Sequence, residues 1–195
     1  MKKIAVFASG GGTNFQALID GVHKKELGVI EILFIDRESA YAKERAIQNN
    51  IPWVYIGKKK FPDSESKVEY ILQNLLDHDI DLIVLAGFLG FIDGKIIRQY
   101  DKKIINVHPS LIPKYCGKGF YGQRVHEAVL KNKDKETGVT IHFVDEGIDT
   151  GEIIIQEKVS VLNDDTIDSL SSRVLKIEHK LLISTVKKLL RSDVS

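Results

Sequence analysis

Asn106 and His108 stand one residue apart in Asn106-Val107-His108-Pro109-Ser110, directly after the apolar pair Ile104-Ile105. Side chains alternate along a strand, so an amide and an imidazole at this spacing point the same way. Both can face one reacting oxygen. Asp149 closes the stretch His142-Phe143-Val144-Asp145-Glu146-Gly147-Ile148-Asp149-Thr150-Gly151. A carboxylate brought near the imidazole would orient it and favour its protonated form. Amide, imidazole and carboxylate together can stabilise the tetrahedral intermediate of an acyl transfer.

The other histidines compete less well. His142 reads equally as a second polar group of the same pocket and as a half-buried strand residue. His126, on a surface helix, and His23 and His78 are expected to be solvated rather than catalytic, and His179 beside Glu178 is ambiguous. No two histidines have the helical spacing of metal ligands, so no metal is expected.

A second chemical signal precedes these. Gly10-Gly11-Gly12 follows a first apolar run and leads into Thr13-Asn14 at a helix start. Exposed backbone amides there, at the positive end of a helix, suit a phosphate at Gly11, Gly12, Thr13 and Asn14. The dinucleotide fingerprint fails, because Phe15 stands where a glycine or alanine is needed, although Asp36 ends the second strand as a ribose-binding acid might. The nucleoside triphosphate loop fails as well, because no Lys-Ser or Lys-Thr follows the glycines.

The elements that must carry these residues alternate. Strands are expected at 3–8, 29–35, 53–56, 82–86 and 104–107, with helices at 14–23, 41–49 and 67–77 between them. This order predicts a mostly parallel, Rossmann-like α/β sheet with helices on both faces. Strands at 138–144 and 153–161 have no obvious helix between them and are expected to pair antiparallel at one side of the sheet. A helix from about Thr166 to Leu190 carries Leu170, Val174, Ile177 and Leu181 on one face.

The 195 residues fit one domain, and the formal net charge of +1 argues against a nucleic-acid surface. A single cysteine, Cys116, excludes an internal disulfide and suits a reducing cytoplasm. The first apolar run ends at Ser9, too short for a signal-peptide core or a membrane span.

Four segments together resemble the phosphoribosylglycinamide formyltransferase family. They are Ser9-Gly10-Gly11-Gly12-Thr13-Asn14, Leu85-Ala86-Gly87-Phe88, Asn106-Val107-His108-Pro109-Ser110-Leu111-Ile112-Pro113, and Gly138-Val139-Thr140-Ile141-His142-Phe143 through Asp149-Thr150-Gly151. The resemblance runs in order from Lys3 to about Leu189. It implies transfer of a formyl group from 10-formyltetrahydrofolate to the amine of a phosphoribosyl glycinamide in purine biosynthesis. The cosubstrate is then the folate, with no metal. It implies one domain over 1–195, the N-terminal half holding phosphate and the C-terminal half holding folate. Folate contacts are implied at Leu89, Gly90, Phe91, Ile92 and Asn106, and at Val144, Asp145, Glu146, Gly147, Ile148 and Asp149. Glu178 on the last helix is implied to contact the ribonucleotide.

This chain departs from many relatives at Leu89-Gly90, where they carry an arginine, at Cys116-Gly117, where they carry Pro-Gly, and across 118–122. Lys60 and Lys67 are the candidates to replace an arginine that holds the folate tail in some relatives. The expected partners are small molecules, without nucleic acid or membrane, and a homodimer is left open. Two sister activities use the same catalytic set, on initiator methionyl-tRNA and on free formyl-folate. Each is associated with an extra domain, for which a chain starting its first strand at Lys3 and ending at Ser195 is expected to leave no room. A non-catalytic folate- or nucleotide-binding module would not need Asn106, His108 and Asp149 together.

Overall fold

Ile4, Val6 and Ala8 alternate with Ala5 and Phe7, and all five are inaccessible to solvent. Strand β1 (Lys2–Ala8) therefore has both faces covered, as expected of a central parallel strand. In the computed structural model, which describes residues 1–25 and 27–192, β1 is an interior strand, third in a seven-stranded sheet of order β3-β2-β1-β4-β5-β6-β7. The strands are β2 (Gly28–Ile35), β3 (Trp53–Tyr55), β4 (Leu82–Leu85), β5 (Ile104–His108), β6 (Glu136–Phe143) and β7 (Ile153–Ser160). The first five are parallel; β6 and β7 join antiparallel at one side, as the sequence predicts.

The alternation of β1 divides the core in two. Ile4, Val6 and Ala8 pack under α1 (Thr13–Gly21) and α6 (Ile167–Ser192), which contribute Phe15, Leu18, Leu170, Val174 and Leu181. Ala5 and Phe7 pack under α3 (Ser64–Asp77) and α4 (Gly94–Gln99), through Val68, Ile71, Leu75, Ile96 and Ile97. Helix α2 (Ala42–Gln48) closes the β2–β3 side, and α5 (Gln123–Lys131) adds Val129 to the α6 face.

Local signals set the helix starts. Asp63 caps α3 by accepting from the Ser66 amide, and Asp93 caps α4 by accepting from the Lys95 amide. Thr166 and Ser169 cap α6 reciprocally, each hydroxyl accepting from the other's amide, while Asp165 pairs with Arg173 about two turns in. Helix α4 is missing from the sequence reading because six residues give too little periodicity to register.

Two more corrections follow from packing. Helix α1 begins at Thr13 rather than Asn14, with Gly12 as its N-cap. His126, expected on a solvated face, is buried, because Val125, His126 and Val129 form one inward stripe of α5. Among the described residues, no helix is long and apolar enough to cross a membrane.

Candidate functional site

The sheet order reverses at β1 and β4, so the loops leaving their carboxyl ends diverge and open a crevice there. Ser9 ties the two loops together. Its amide donates to the Gly87 carbonyl at 3.1 Å and its hydroxyl accepts from the Leu89 amide at 2.7 Å.

The first loop is built to present amides. Gly12 takes a left-handed conformation (φ 68°), and a Cβ there would lie 2.8 Å from the Ala42 Cβ and 2.9 Å from its Cα. Only glycine fits both the backbone angle and the space. Among the described residues no side chain caps the helix that follows, so its first amides remain available to an anion. From α2, Ala42 donates its amide to the Gly10 carbonyl at 3.1 Å, and Arg45 Nε donates to the Gly11 carbonyl at 2.8 Å. Asn14 turns inward and donates its amide to Glu178 Oε2 at 2.7 Å, across 164 positions of sequence. Both side chains are buried. Burial pushes the Glu178 carboxyl above the usual carboxylate range, and the Asn14 bond opposes this. The Asn14 Oδ1 is buried without a hydrogen-bond partner.

Asn106, His108 and Asp149 meet in a neighbouring cavity of about 350 Å³. Asn106 and His108 leave β5 on the α3–α4 face of the sheet. The loop 144–151 brings Asp149 to them there. That path requires Gly151, where a Cβ would overlap the Phe143 carbonyl. Asp145 holds the loop from within, accepting from the Gly147 amide at 3.0 Å and the Thr150 hydroxyl at 2.7 Å. Asp149 then reaches the set from a left-handed backbone (φ 57°).

The hydrogen bonds assign the ring nitrogens. His108 Nε2 donates to the Tyr115 carbonyl at 2.8 Å, which turns Nδ1 toward Asp149 Oδ2 at 3.6 Å. His142 Nδ1 lies 2.8 Å from the Phe143 carbonyl, and Nε2 faces both Asn106 Nδ2 at 3.2 Å and Asp149 Oδ1 at 3.7 Å. The Asn106 amide also donates to Asp149 Oδ1 at 3.3 Å, and the Gly117 amide donates to Asp149 Oδ2 at 2.9 Å. His142 is thus a member of the set and not a passive strand residue.

Electrostatics here run partly against the sequence expectation. Burial pulls His108 below the ordinary imidazole value, although Asp149 and the Tyr115 carbonyl raise it. Burial likewise pushes Asp149 upward, but the His142 ring, the charge that His108 can carry and the Gly117 amide together hold its carboxyl below the usual range. Asp149 is therefore a carboxylate at neutral pH. His108 is held ready to take a proton more than it is held protonated.

The cavity walls carry most of the folate positions implied by the resemblance. Leu89, Gly90, Phe91 and Ile92 form one side; Val144, Asp145, Gly147 and Ile148 form the other. Glu146 does not line it and instead pairs with Arg98 of α4. Neither does Lys60, which donates to the Tyr70 hydroxyl at 3.2 Å, nor Lys67. The segment 117–122, where the chain differs from many relatives, supplies a further wall with Phe120 and Tyr121. The spacing of Gly117, Gly119 and Gly122, all at positive φ, was its available signal. Lys118 is the only cationic side chain lining the cavity among the described residues. No group of three or more His, Cys, Asp or Glu among the described residues could hold a metal ion.

Comparison with known proteins adds an independent line. A family model described as formyl transferase matches residues 2–186. The chain is 39% identical over 189 residues to the chloroplastic phosphoribosylglycinamide formyltransferase of Vigna unguiculata, covering 96% of this chain and 61% of that protein. Over 191 residues it is 37% identical to phosphoribosylglycinamide formyltransferase of Bacillus subtilis, covering 97% of this chain and 95% of the relative. The chain thus spans slightly less than two thirds of its plant relatives and nearly all of the bacterial one. Among solved structures, phosphoribosylglycinamide formyltransferase from Bacillus halodurans superposes with a TM-score of 0.89 at 37% identity, covering 97% of this chain and 96% of that one. Glycinamide ribonucleotide transformylase 1 from Geobacillus kaustophilus superposes equally well, at 0.89 and 38% identity, covering 97% and 99%.

Proposed function

The chain belongs to the formyl transferase family, and from that premise we propose that it moves a formyl group from 10-formyltetrahydrofolate to the glycinamide amine of N1-(5-phosphoribosyl)glycinamide, in purine biosynthesis. The observation that carries the proposal is the convergence of Asn106, His108 and Asp149 in one cavity beside the glycine loop. The cavity walls fit a partly apolar donor: Phe91 and Ile148, both exposed large apolar side chains, line it. The reading is of a cytoplasmic enzyme acting on small molecules without a metal.

Each residue has a role in this reaction. The glycine loop takes the ribonucleotide phosphate, and Glu178, held by Asn14, accepts from its ribose hydroxyls. This directs the glycinamide amine toward the cavity. As the amine attacks, negative charge collects on the formyl oxygen. Asn106 donates to that oxygen in exchange for its two long bonds, at 3.2 and 3.3 Å. His108, once it has taken up a proton from solvent, donates from Nδ1, the nitrogen that faces Asp149. Asp149 offsets the positive charge that this donation requires on a buried imidazole. Asp149 also accepts the amine proton, directly or through a water, and relays it toward the leaving folate nitrogen.

A spectroscopic assay of formyl-folate consumption tests the proposal. Consumption is expected only when glycinamide ribonucleotide is present. Consumption without it would identify a hydrolase. Tight binding of a formyl-folate analogue with no turnover under either condition would identify a binding module.

A further inference from the structure

The side chain of Tyr115 lies outside the cavity, yet its backbone holds the catalytic histidine. Its carbonyl accepts from His108 Nε2 at 2.8 Å, the contact that fixes which ring nitrogen faces Asp149. Two residues on, the Gly117 amide donates to Asp149 Oδ2 at 2.9 Å. One short segment, 115–117, therefore supports both members of the His108–Asp149 pair and sets their 3.6 Å separation.

That segment does not hold its shape unaided. Tyr115 occupies the left-handed region at φ 51°, which a bulky residue adopts only when its surroundings enforce it. The enforcing contacts come from the turn between α5 and β6. The Tyr115 hydroxyl donates to Asp134 Oδ2 at 2.8 Å and accepts from Asn132 Nδ2 at 2.8 Å. Lys114 Nζ holds the same carboxylate at 3.3 Å. On the other side the Ser110 hydroxyl donates to the Lys114 carbonyl at 2.6 Å, and Thr140 Oγ1 donates to the Ser110 carbonyl at 2.6 Å. The backbone is thus pinned before Tyr115 by the Lys114 carbonyl and at Tyr115 by its hydroxyl.

We propose that Tyr115, clamped by Asn132 and Asp134, is a positioning residue that fixes the ring orientation of His108 and its distance from Asp149. The proposal deepens the formyl-transfer reading and rests on it for the catalytic consequence, but the positioning itself can be measured without turnover. The charged and titratable groups facing the His108 ring are Asp149 and His142, and neither is altered in the test below.

The test compares wild type, Tyr115→Phe, Asp134→Ala and Asp134→Asn. The first two remove the hydroxyl or its acceptor; Asp134→Asn keeps an acceptor oxygen and serves as the conservative rescue. Nitrogen-15 NMR of the His108 ring reports its tautomer and its titration directly. In Tyr115→Phe and Asp134→Ala the Nε2 bond to the Tyr115 carbonyl loosens, so His108 titrates at lower pH and its tautomer becomes mixed. Asp134→Asn should stay close to wild type. In turnover, the two disruptive variants should lose roughly ten- to a hundredfold in kcat, with KM for the folate donor little changed and the alkaline limb of kcat displaced to lower pH. A His108 titration and tautomer identical in wild type and Tyr115→Phe would overturn the proposal, even if the melting temperature fell. If the His108 signals respond as stated but no variant, wild type included, transfers a formyl group, the positioning stands and the proposed reaction fails.

Discussion

Replacing Asp149 by Asn isolates charge from shape. Asn tolerates the left-handed backbone that Asp149 occupies at φ 57°. Its Oδ1 can still accept from the Gly117 amide, so the loop keeps its anchor. What disappears is a negative charge 3.6 Å from His108 Nδ1, together with the acceptor of the long 3.3 Å Asn106 bond. Two unit charges at that separation interact by about 4–5 kcal/mol at an effective dielectric of ~20, and by less where water enters the cavity. The loss of one transition-state donor costs roughly 2.7–4 kcal/mol, a hundred- to thousandfold in turnover. The two scales overlap, and that range is the expected fall in kcat. Substrate KM values should change little, because the charge acts on the intermediate. Asp149 raises the His108 pKa against burial, so removing it lets that pKa fall further. The alkaline limb of the kcat profile should move to lower pH. Steady-state absorbance assays across the pH range read both effects, and thermal melting checks that the fold is intact. Turnover near wild type in an intact variant would reduce Asp149 to a turn-forming residue and leave Asn106 and His108 as the whole site.

Other outcomes follow from the same geometry. Gly11→Ala adds a methyl group that meets nothing within 4 Å, so it should raise KM for the ribonucleotide without lowering the melting temperature, whereas Gly12→Val should do both; unchanged ribonucleotide KM in both variants would move the phosphate elsewhere. Glu178→Gln should weaken ribonucleotide binding while sparing the folate donor, read by calorimetry with each ligand separately; equal ribonucleotide affinity would leave Glu178 only its bond to Asn14. Asp165 is held below the usual carboxylate range by hydrogen bonds from Arg173, against burial and with help from Ser169 and Leu162. Its folded pKa is depressed, so its contribution is present above the ordinary carboxylate pKa and lost as pH falls through the folded value. Asp165→Asn should therefore melt below wild type at neutral pH, with the gap closing in acid; a gap independent of pH would contradict this.

The sequence was most legible where one residue's environment is set by its neighbours in the chain. The continuous apolar runs at 3–8 and 82–86 identify the central strands, and Asn106 with His108 mark a shared face by spacing alone. The glycines before Thr13 marked the loop at the crevice. What stayed hidden depends on distant parts of the chain meeting. The Asn14–Glu178 bond spans 164 positions, and no local pattern announces it. The sequence showed His142 only as one of two equal readings, because its role comes from pairing opposite Asn106 across β5 and β6. The support of His108 by the Tyr115 carbonyl could not be read at all, since any residue type supplies a carbonyl. The pull of Asp149 on His108 was foreseen, but the stronger effect of burial was not, because burial is a property of the assembled loops. The inward position of His126 is locally encoded, because its neighbours Val125 and Val129 share the buried stripe of α5.

The most direct test of the account follows the carbon itself. The purified protein is given 10-formyltetrahydrofolate labelled with carbon-13 in the formyl group, together with glycinamide ribonucleotide, and the products are read by NMR. The account predicts the label on the glycinamide nitrogen as a formamide, in amounts equal to the tetrahydrofolate released, and its disappearance in His108→Ala. Label recovered as free formate, or left on the folate, would contradict it.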